Sequence, residues 1–386
     1  MKKFNKVASL ALVAALAVSS LTACGNNASN ADATAFKIGG IGPITGGAAV
    51  YGQAVKNGAQ IAIDEINAAG GINGFQIEYN FQDDEHDAEK SVNAYNTLKD
   101  WGVQMVVGST TSDPCIAVAA MTEQDNVFQL TPSGSAVPCV APENVFRVCF
   151  SDPNQGAASA QYIGQNAVAT KVAVIYDSST TYSSGIYESF AAEAANQSFE
   201  IVAAEAFTAD NATDFSVQLQ KAKEAGAELV FLPIYYEAAA AILTQAAAMN
   251  FAPIFFGCDG LDGILAVEGF DVKLAEGVML LTPFAADAQD DLTVKFVASY
   301  KEKYNEVPNQ FAADAYDAVY AIKAAAEKAD VKPSMSASEI CDALKASMTQ
   351  ITINGLTGEN MSWEASGEPN KAPKAVIIKD GAYSAL

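Results

Sequence analysis

From residue 36 onward, short runs of large apolar residues alternate with longer stretches in which apolar residues recur every three or four positions. The short runs fall at 36–42, 75–81, 103–107, 127–130 and 145–150, and again at 172–176, 199–204, 229–232, 254–256 and 277–281. Several are apolar throughout rather than alternating, the pattern of strands covered on both faces. Between them lies a helical pattern at 52–69, where Val55, Ala59, Ala62, Ile63 and Ile66 share one face, and others follow at 191–195, 238–249, 294–304 and 312–326. Strands alternating with helices of this length predict βαβ units and parallel sheets. Two series of five strands predict an α/β fold of two doubly wound parallel-sheet lobes joined by a hinge. In such sheets ligands bind at the carboxyl ends of the strands, so the loops after the strands are the candidate site.

The first 35 residues have another pattern. Lys2, Lys3 and Lys6 precede an apolar run from Val7 to Val18, and the segment ends Leu21-Thr22-Ala23-Cys24. A basic start, a short apolar stretch and a small-residue cleavage site describe a secretory signal peptide over 1–23. The apolar run is too short to span a bilayer. The Leu-x-Ala-Cys ending resembles a bacterial lipobox, which implies lipidation of Cys24; in an ordinary secretory signal the cysteine would be incidental. Residues 24–34 lack large apolar side chains and read as a flexible tether. The expected location is extracytoplasmic, with the membrane reached only through the lipid.

Composition narrows the partners. A net charge of −23 becomes −26 when the three signal lysines are removed. That balance disfavours nucleic acid and anionic lipid headgroups. Removing 1–23 leaves 363 residues, enough for about two domains. Cys115, Cys139 and Cys149 lie close in sequence, and one disulfide among them is expected in an oxidising compartment. With His86 as the sole histidine and no Cys-x-x-Cys, no metal site and no cofactor are expected. His86 itself, within Asp83–Asp87, reads as a solvated loop residue.

Three successive strand-following loops are rich in glycine and small hydroxyls: 42–52, 108–114 and 131–135. A helix N-terminus with free N–H groups and neighbouring hydroxyls suits a carboxylate. The same residues are also ordinary helix caps. Neither a Walker loop nor a dinucleotide fingerprint fits the glycines near 39–47.

The stretch Ile38-Gly39-Gly40-Ile41-Gly42-Pro43-Ile44-Thr45-Gly46, with Tyr51-Gly52 and Asp64-Glu65-Ile66-Asn67-Ala68-Ala69-Gly70-Gly71-Ile72-Asn73-Gly74, resembles the opening of the branched-chain amino-acid binding proteins. Asp83-Asp84, Gly108-Ser109-Thr110-Thr111-Ser112, Thr131-Pro132-Ser133, Phe146-Arg147, Asp152-Pro153-Asn154-Gln155-Gly156 and Ala315-Tyr316-Asp317-Ala318 continue the resemblance along the mature chain. It implies a type I periplasmic-binding-protein-like clamp that delivers an amino acid to the permease and ATPase subunits of an ABC transporter, as a monomer. Leucine, isoleucine or valine would lead, with alanine and other small neutral amino acids behind.

The resemblance further implies that Thr110, Thr111 and neighbouring N–H groups hold the ligand carboxylate. The Ser133 carbonyl and the Ser135 hydroxyl would face the ammonium. Tyr51 would border the side-chain pocket, Tyr182 and Tyr235 would close over the ligand from the second lobe, and Asp259 would pair with the ammonium. On the residues alone, the lesser alternatives are a core aromatic for Tyr235 and a turn acid before Gly260 for Asp259. Two departures are visible: Ser133-Gly134-Ser135 stands where the family often has Ala-Ala-Thr, and Cys258 precedes the acid. Lobe boundaries are expected at 35–151 with 283–353, and 152–282 with 354–386. An enzyme is disfavoured, because no nucleophile elbow, Ser/His/Asp set or metal cluster is marked out. A sensory clamp reporting to a separate receptor is the other reading of the same fold.

Overall fold

The computed structural model describes residues 33–386, so the signal peptide, Cys24 and most of the tether lie outside the described residues. Its first sheet contains β1 (Ala35–Gly42), β2 (Gln76–Asp83), β3 (Met105–Val107), β4 (Phe128–Thr131) and β5 (Val145–Arg147). All five are parallel, in the order β2-β1-β3-β4-β5. The second sheet repeats this order with β6 (Lys171–Asp177), β7 (Glu200–Phe207), β8 (Leu229–Leu232), β9 (Ile254–Gly257) and β10 (Met279–Thr282), running β7-β6-β8-β9-β10. An antiparallel hairpin, β11 (Lys374–Lys379) and β12 (Ala382–Ala385), extends it beside β10. Every residue of β3, β4 and β8 is buried, as two covered faces require.

The ten expected strands are present, with two differences. β5 stops at Arg147, where the Val148 N–H makes the last ladder bond to the Thr131 carbonyl of β4. The hairpin was not expected: Lys374, Lys379 and Asp380 interrupt its apolar residues, so only its place beside β10 makes it a strand pair.

The helices are α1 (Ala49–Ala68), α2 (Ala88–Trp101), α3 (Ser112–Asp125), α4 (Asp152–Gln165), α5 (Thr181–Ala194), α6 (Ser216–Glu224), α7 (Tyr236–Ala248), α8 (Asp291–Tyr304), α9 (Gln310–Lys328) and α10 (Ala337–Met348). α8, α9 and α10 follow the second sheet's strands in sequence yet pack with the first, α9 against α1 and α10 against β4. The chain therefore returns to its first lobe after completing β10. Together with the repeated sheet order, this makes a two-lobed clamp.

The expected disulfide is absent. Cys115, Cys139 and Cys149 are free thiols, all buried. The Cys139 thiol points at the Ser112 carbonyl, 3.5 Å away, and Cys115 Sγ takes the Gln129 side-chain amide at 3.5 Å. Cys149 is buried as well, and burial raises its thiol well above the usual range. Cys115 and Cys139 do meet, packed in one buried cluster as thiols in hydrogen-bonding contact rather than as a bridge.

Candidate ligand-binding site

The loops after β1, β3 and β4 face those after β6, β8 and β9 across the space between the lobes. Tyr51, in the first turn of α1, stands at its centre and is fully buried. Its hydroxyl donates to the Gly260 carbonyl at 2.5 Å and accepts the Tyr236 N–H at 3.2 Å. Both partners belong to the opposite lobe, so this phenol bridges the two lobes. Its ring lies 4.3 Å from Phe311 and 4.8 Å from Tyr236, between centroids.

Thr110 reaches the cavity because residue 42 is glycine: a Cβ there would stand 2.1 Å from Thr110 Oγ1. Thr110 donates to the Ile41 carbonyl at 3.3 Å, and the Ser133 hydroxyl donates to the Thr110 carbonyl at 2.6 Å. Ser133 thus spends its hydroxyl on the loop, while its carbonyl takes no hydrogen bond among the described residues. Thr111 is the N-cap of α3, yet its side chain caps nothing. It lies 2.8 Å from Nδ1 of His86. His86 is therefore not the solvated loop residue expected; its ring is half-buried against Thr111 and Tyr235. Behind the loop, Arg147 is buried and donates to the carbonyls of Gly134 and Ala136, both at 3.0 Å.

From the second lobe, Asp259 is buried and its Oδ1 accepts the Tyr182 hydroxyl at 2.6 Å. Burial pushes its carboxyl up to about 7, although the Tyr182 hydrogen bond favours the charged form. Tyr235 stacks on Tyr182, with centroids 4.7 Å apart and planes at 21°. Asp152, at the start of α4, is also buried, and neither of its carboxylate oxygens has a partner. Burial raises its carboxyl well above the usual range. Ser135 lies beside it without a well-aligned hydrogen bond, its hydroxyl unpartnered; the Gln155 side-chain nitrogen is unpartnered as well, while its oxygen accepts the Asp259 N–H at 3.1 Å. The buried ion pairs of the described residues, Arg147–Glu368 and Lys371–Asp314, involve neither Asp152 nor Asp259. Two buried carboxylates without a protein cation are costly unless a bound positive group answers them.

Seven of the eight residues singled out from the sequence line one cavity: Tyr51, Thr110, Thr111, Ser133, Tyr182, Tyr235 and Asp259. Ser135 lies outside that lining. Gly260 and Phe311, which complete the walls, were not anticipated, nor were Asp152 and Gln155 beyond their part in a motif. The cavity encloses about 10 Å³, room for about one water, so a ligand of amino-acid size enters only when the lobes part. Two larger clefts lie elsewhere, about 430 Å³ beside Pro283 and Pro373 and about 820 Å³ between α1 and the β11–β12 hairpin. Neither gathers Asp259 and the hydroxyl loops, so the smaller cavity between the lobes is the candidate site.

Residues 35–382 match the family described as periplasmic binding protein. The Leu/Ile/Val-binding protein homolog 3 of Brucella melitensis is 31% identical over 296 residues, covering 76% of this chain and 78% of that one. The chain belongs to the branched-chain amino-acid binding proteins. Among other relatives of this binding protein, the leucine-, isoleucine-, valine-, threonine- and alanine-binding protein of Pseudomonas aeruginosa is 28% identical over 87% of each chain. The substrate binding protein LivJ of the Streptococcus pneumoniae branched-chain amino acid transporter, solved with isoleucine, superposes with a TM-score of 0.83 at 31% identity. That alignment covers 91% of this binding protein and 98% of LivJ.

Proposed function

We propose that this binding protein captures a neutral aliphatic amino acid outside the membrane by lobe closure and hands it to an ABC permease, catalysing nothing. Leucine, isoleucine and valine lead. The observation that carries the reading is a zwitterion-shaped polarity. A wall of hydroxyls and the N-terminal N–H groups of α3 on one lobe oppose the unpaired Asp259 carboxylate on the other. Thr110 and Thr111 take the ligand carboxylate, while Asp259 and the Ser133 carbonyl take the ammonium, with the Ser135 hydroxyl outside the lining beside Asp152. Tyr51, Tyr182, Tyr235 and Phe311 enclose the aliphatic side chain. Relatives named for leucine, isoleucine and valine, and the isoleucine complex of LivJ, support the ligand class.

The rest of the proposal concerns placement. Cleavage before Cys24 and its lipidation would anchor a monomer to the membrane surface, with permease and ATPase subunits as partners. The lobes comprise 35–151 with 283–353 and 152–282 with 354–386, except at the last crossing. There Trp363 Nε1 donates to the Arg147 carbonyl at 2.7 Å and Lys371 pairs with Asp314, so we take the chain to change lobes nearer Pro373.

The test is thermal unfolding of ligand-stripped protein against the common L-amino acids and urea. A ligand at 100 times its Kd adds roughly 2.7 kcal/mol, a shift of a few degrees in a chain of this size. Shifts confined to leucine, isoleucine and valine are expected. No shift with any amino acid would refute the zwitterion reading.

A further inference from the structure

His86 is the chain's one histidine, and its ring sits between two walls of the cavity. It occupies the loop after β2, where Asp84 Oδ1 accepts the His86 N–H at 3.0 Å and the residue takes a left-handed conformation, φ 61°. That turn brings Nδ1 to 2.8 Å from Thr111 Oγ1 in the first lobe. The ring also meets Tyr235 of the second lobe edge-on, with centroids 5.2 Å apart and planes at 81°. Thr111 and Tyr235 line the cavity, and His86 stands just behind them. If Nδ1–H donates to Thr111, the threonine hydroxyl proton is free to point inward at a carboxylate.

We propose that His86 is a positioning residue of the ligand site: it orients the Thr111 hydroxyl and is held by Tyr235 only when the lobes close, so its protonation opposes closure and ligand binding. The inference rests on the amino-acid reading above. The groups facing the imidazole are Asp113 of α3, Asp177 at the end of β6, Tyr235 at the start of α7, and Asp84 and Asp87 of its own loop. Burial makes the imidazole harder to protonate and outweighs the pull of Asp113, Asp177 and Asp87. Opening the clamp withdraws Tyr235 and Asp177 and returns the ring to water, where it titrates near 6.5. Protonation therefore favours the open clamp, and affinity falls as pH drops through that value. If the closed form stays neutral, the loss between about pH 7.5 and 5.5 reaches about tenfold. Asp259 titrates in the same range and direction, so His86→Gln, which keeps a donor but cannot titrate there, isolates the histidine.

The experiment measures leucine affinity by calorimetry at both pH values for wild type, His86→Ala and His86→Gln. His86→Ala is expected to weaken binding roughly tenfold at the higher pH, the effect of losing an oriented hydrogen bond to a charged group. His86→Gln should restore most of it and flatten the pH dependence by up to about tenfold. Wild-type affinity in His86→Ala, or an unchanged pH dependence in His86→Gln, would overturn the proposal. A ligand-free arm follows the single imidazole by nitrogen-15 titration in wild type and Thr111→Val. A changed tautomer or midpoint supports the Thr111 bond, and identical curves overturn it. A wild type that binds no amino acid would refute the proposed function instead, with the ligand-free arm still deciding His86.

Discussion

At Asp259 a carboxylate is buried against the Tyr182 phenol with no cation beside it, and burial, outweighing its hydrogen bonds, pushes its carboxyl up to about 7. A ligand ammonium would reverse that, drawing the proton off as it binds. Asp259→Asn is therefore expected to weaken leucine binding by about 2 kcal/mol or more, roughly thirtyfold, while leaving the fold intact; calorimetry checks it. Wild-type affinity in that variant would return Asp259 to the turn-acid reading. Cavity-lining residues were legible in the sequence where a motif carried them: Thr110, Thr111 and Ser133 sit in hydroxyl loops, and Tyr51 follows the opening glycines. Asp152 and His86 were not. Asp152 opens a helix and so resembles any capping acid, and His86 lies in an acidic loop with no periodicity to reveal a buried side. Only the meeting of β2's loop with Tyr235, 149 positions later, buries that ring.

The elements were legible where apolar residues repeat and obscure where partners come from far away in the chain. β3, β4 and β8 are short runs buried on both faces, and their composition predicts that. The start of α5, by contrast, is polar; it becomes helical because Thr180 caps Ser183 N and α4 covers its apolar side. α1 and α9 approach so closely that a Cβ at Gly58 would stand 2.0 Å from the Ala312 carbonyl. That carbonyl is backbone and cannot swing away. Gly58→Ala should force the helices apart and cost about 1–3 kcal/mol, despite alanine's better helix propensity. Thermal or denaturant unfolding checks the sign, and a stabilised variant would contradict the packing.

Over the whole molecule, closure and charge are linked. Burial raises Asp84 and Asp259 to about 7 and Asp262 and Asp317 to about 6, so the folded state holds protons that an unfolded chain releases near 4. Stability from these groups is fully present below about pH 4 and is lost as pH rises from there through 6 to 7. His86, with its lowered basicity, acts in the opposite direction as a single group. The net charge of −23 adds self-repulsion as pH rises. The ligand-free protein is therefore expected to melt at a lower temperature at about pH 8 than at about pH 5.5, and calorimetric scans at the two values test it.

The sequence by itself determined the alternation of strands and helices, hence the doubly wound lobes, because period and strand length are local properties of the chain. Its motifs also determined the family, because the opening glycines and hydroxyl loops stand in fixed order. Tertiary structure decided what depends on residues far apart: the return of α9 to the first lobe, the free state of three neighbouring cysteines, and the wall that Tyr51 and Gly260 share. Burial decided the chemistry. The same aspartates that would be ordinary surface charges in an extended chain become, between two lobes, carboxylates waiting for a positive partner.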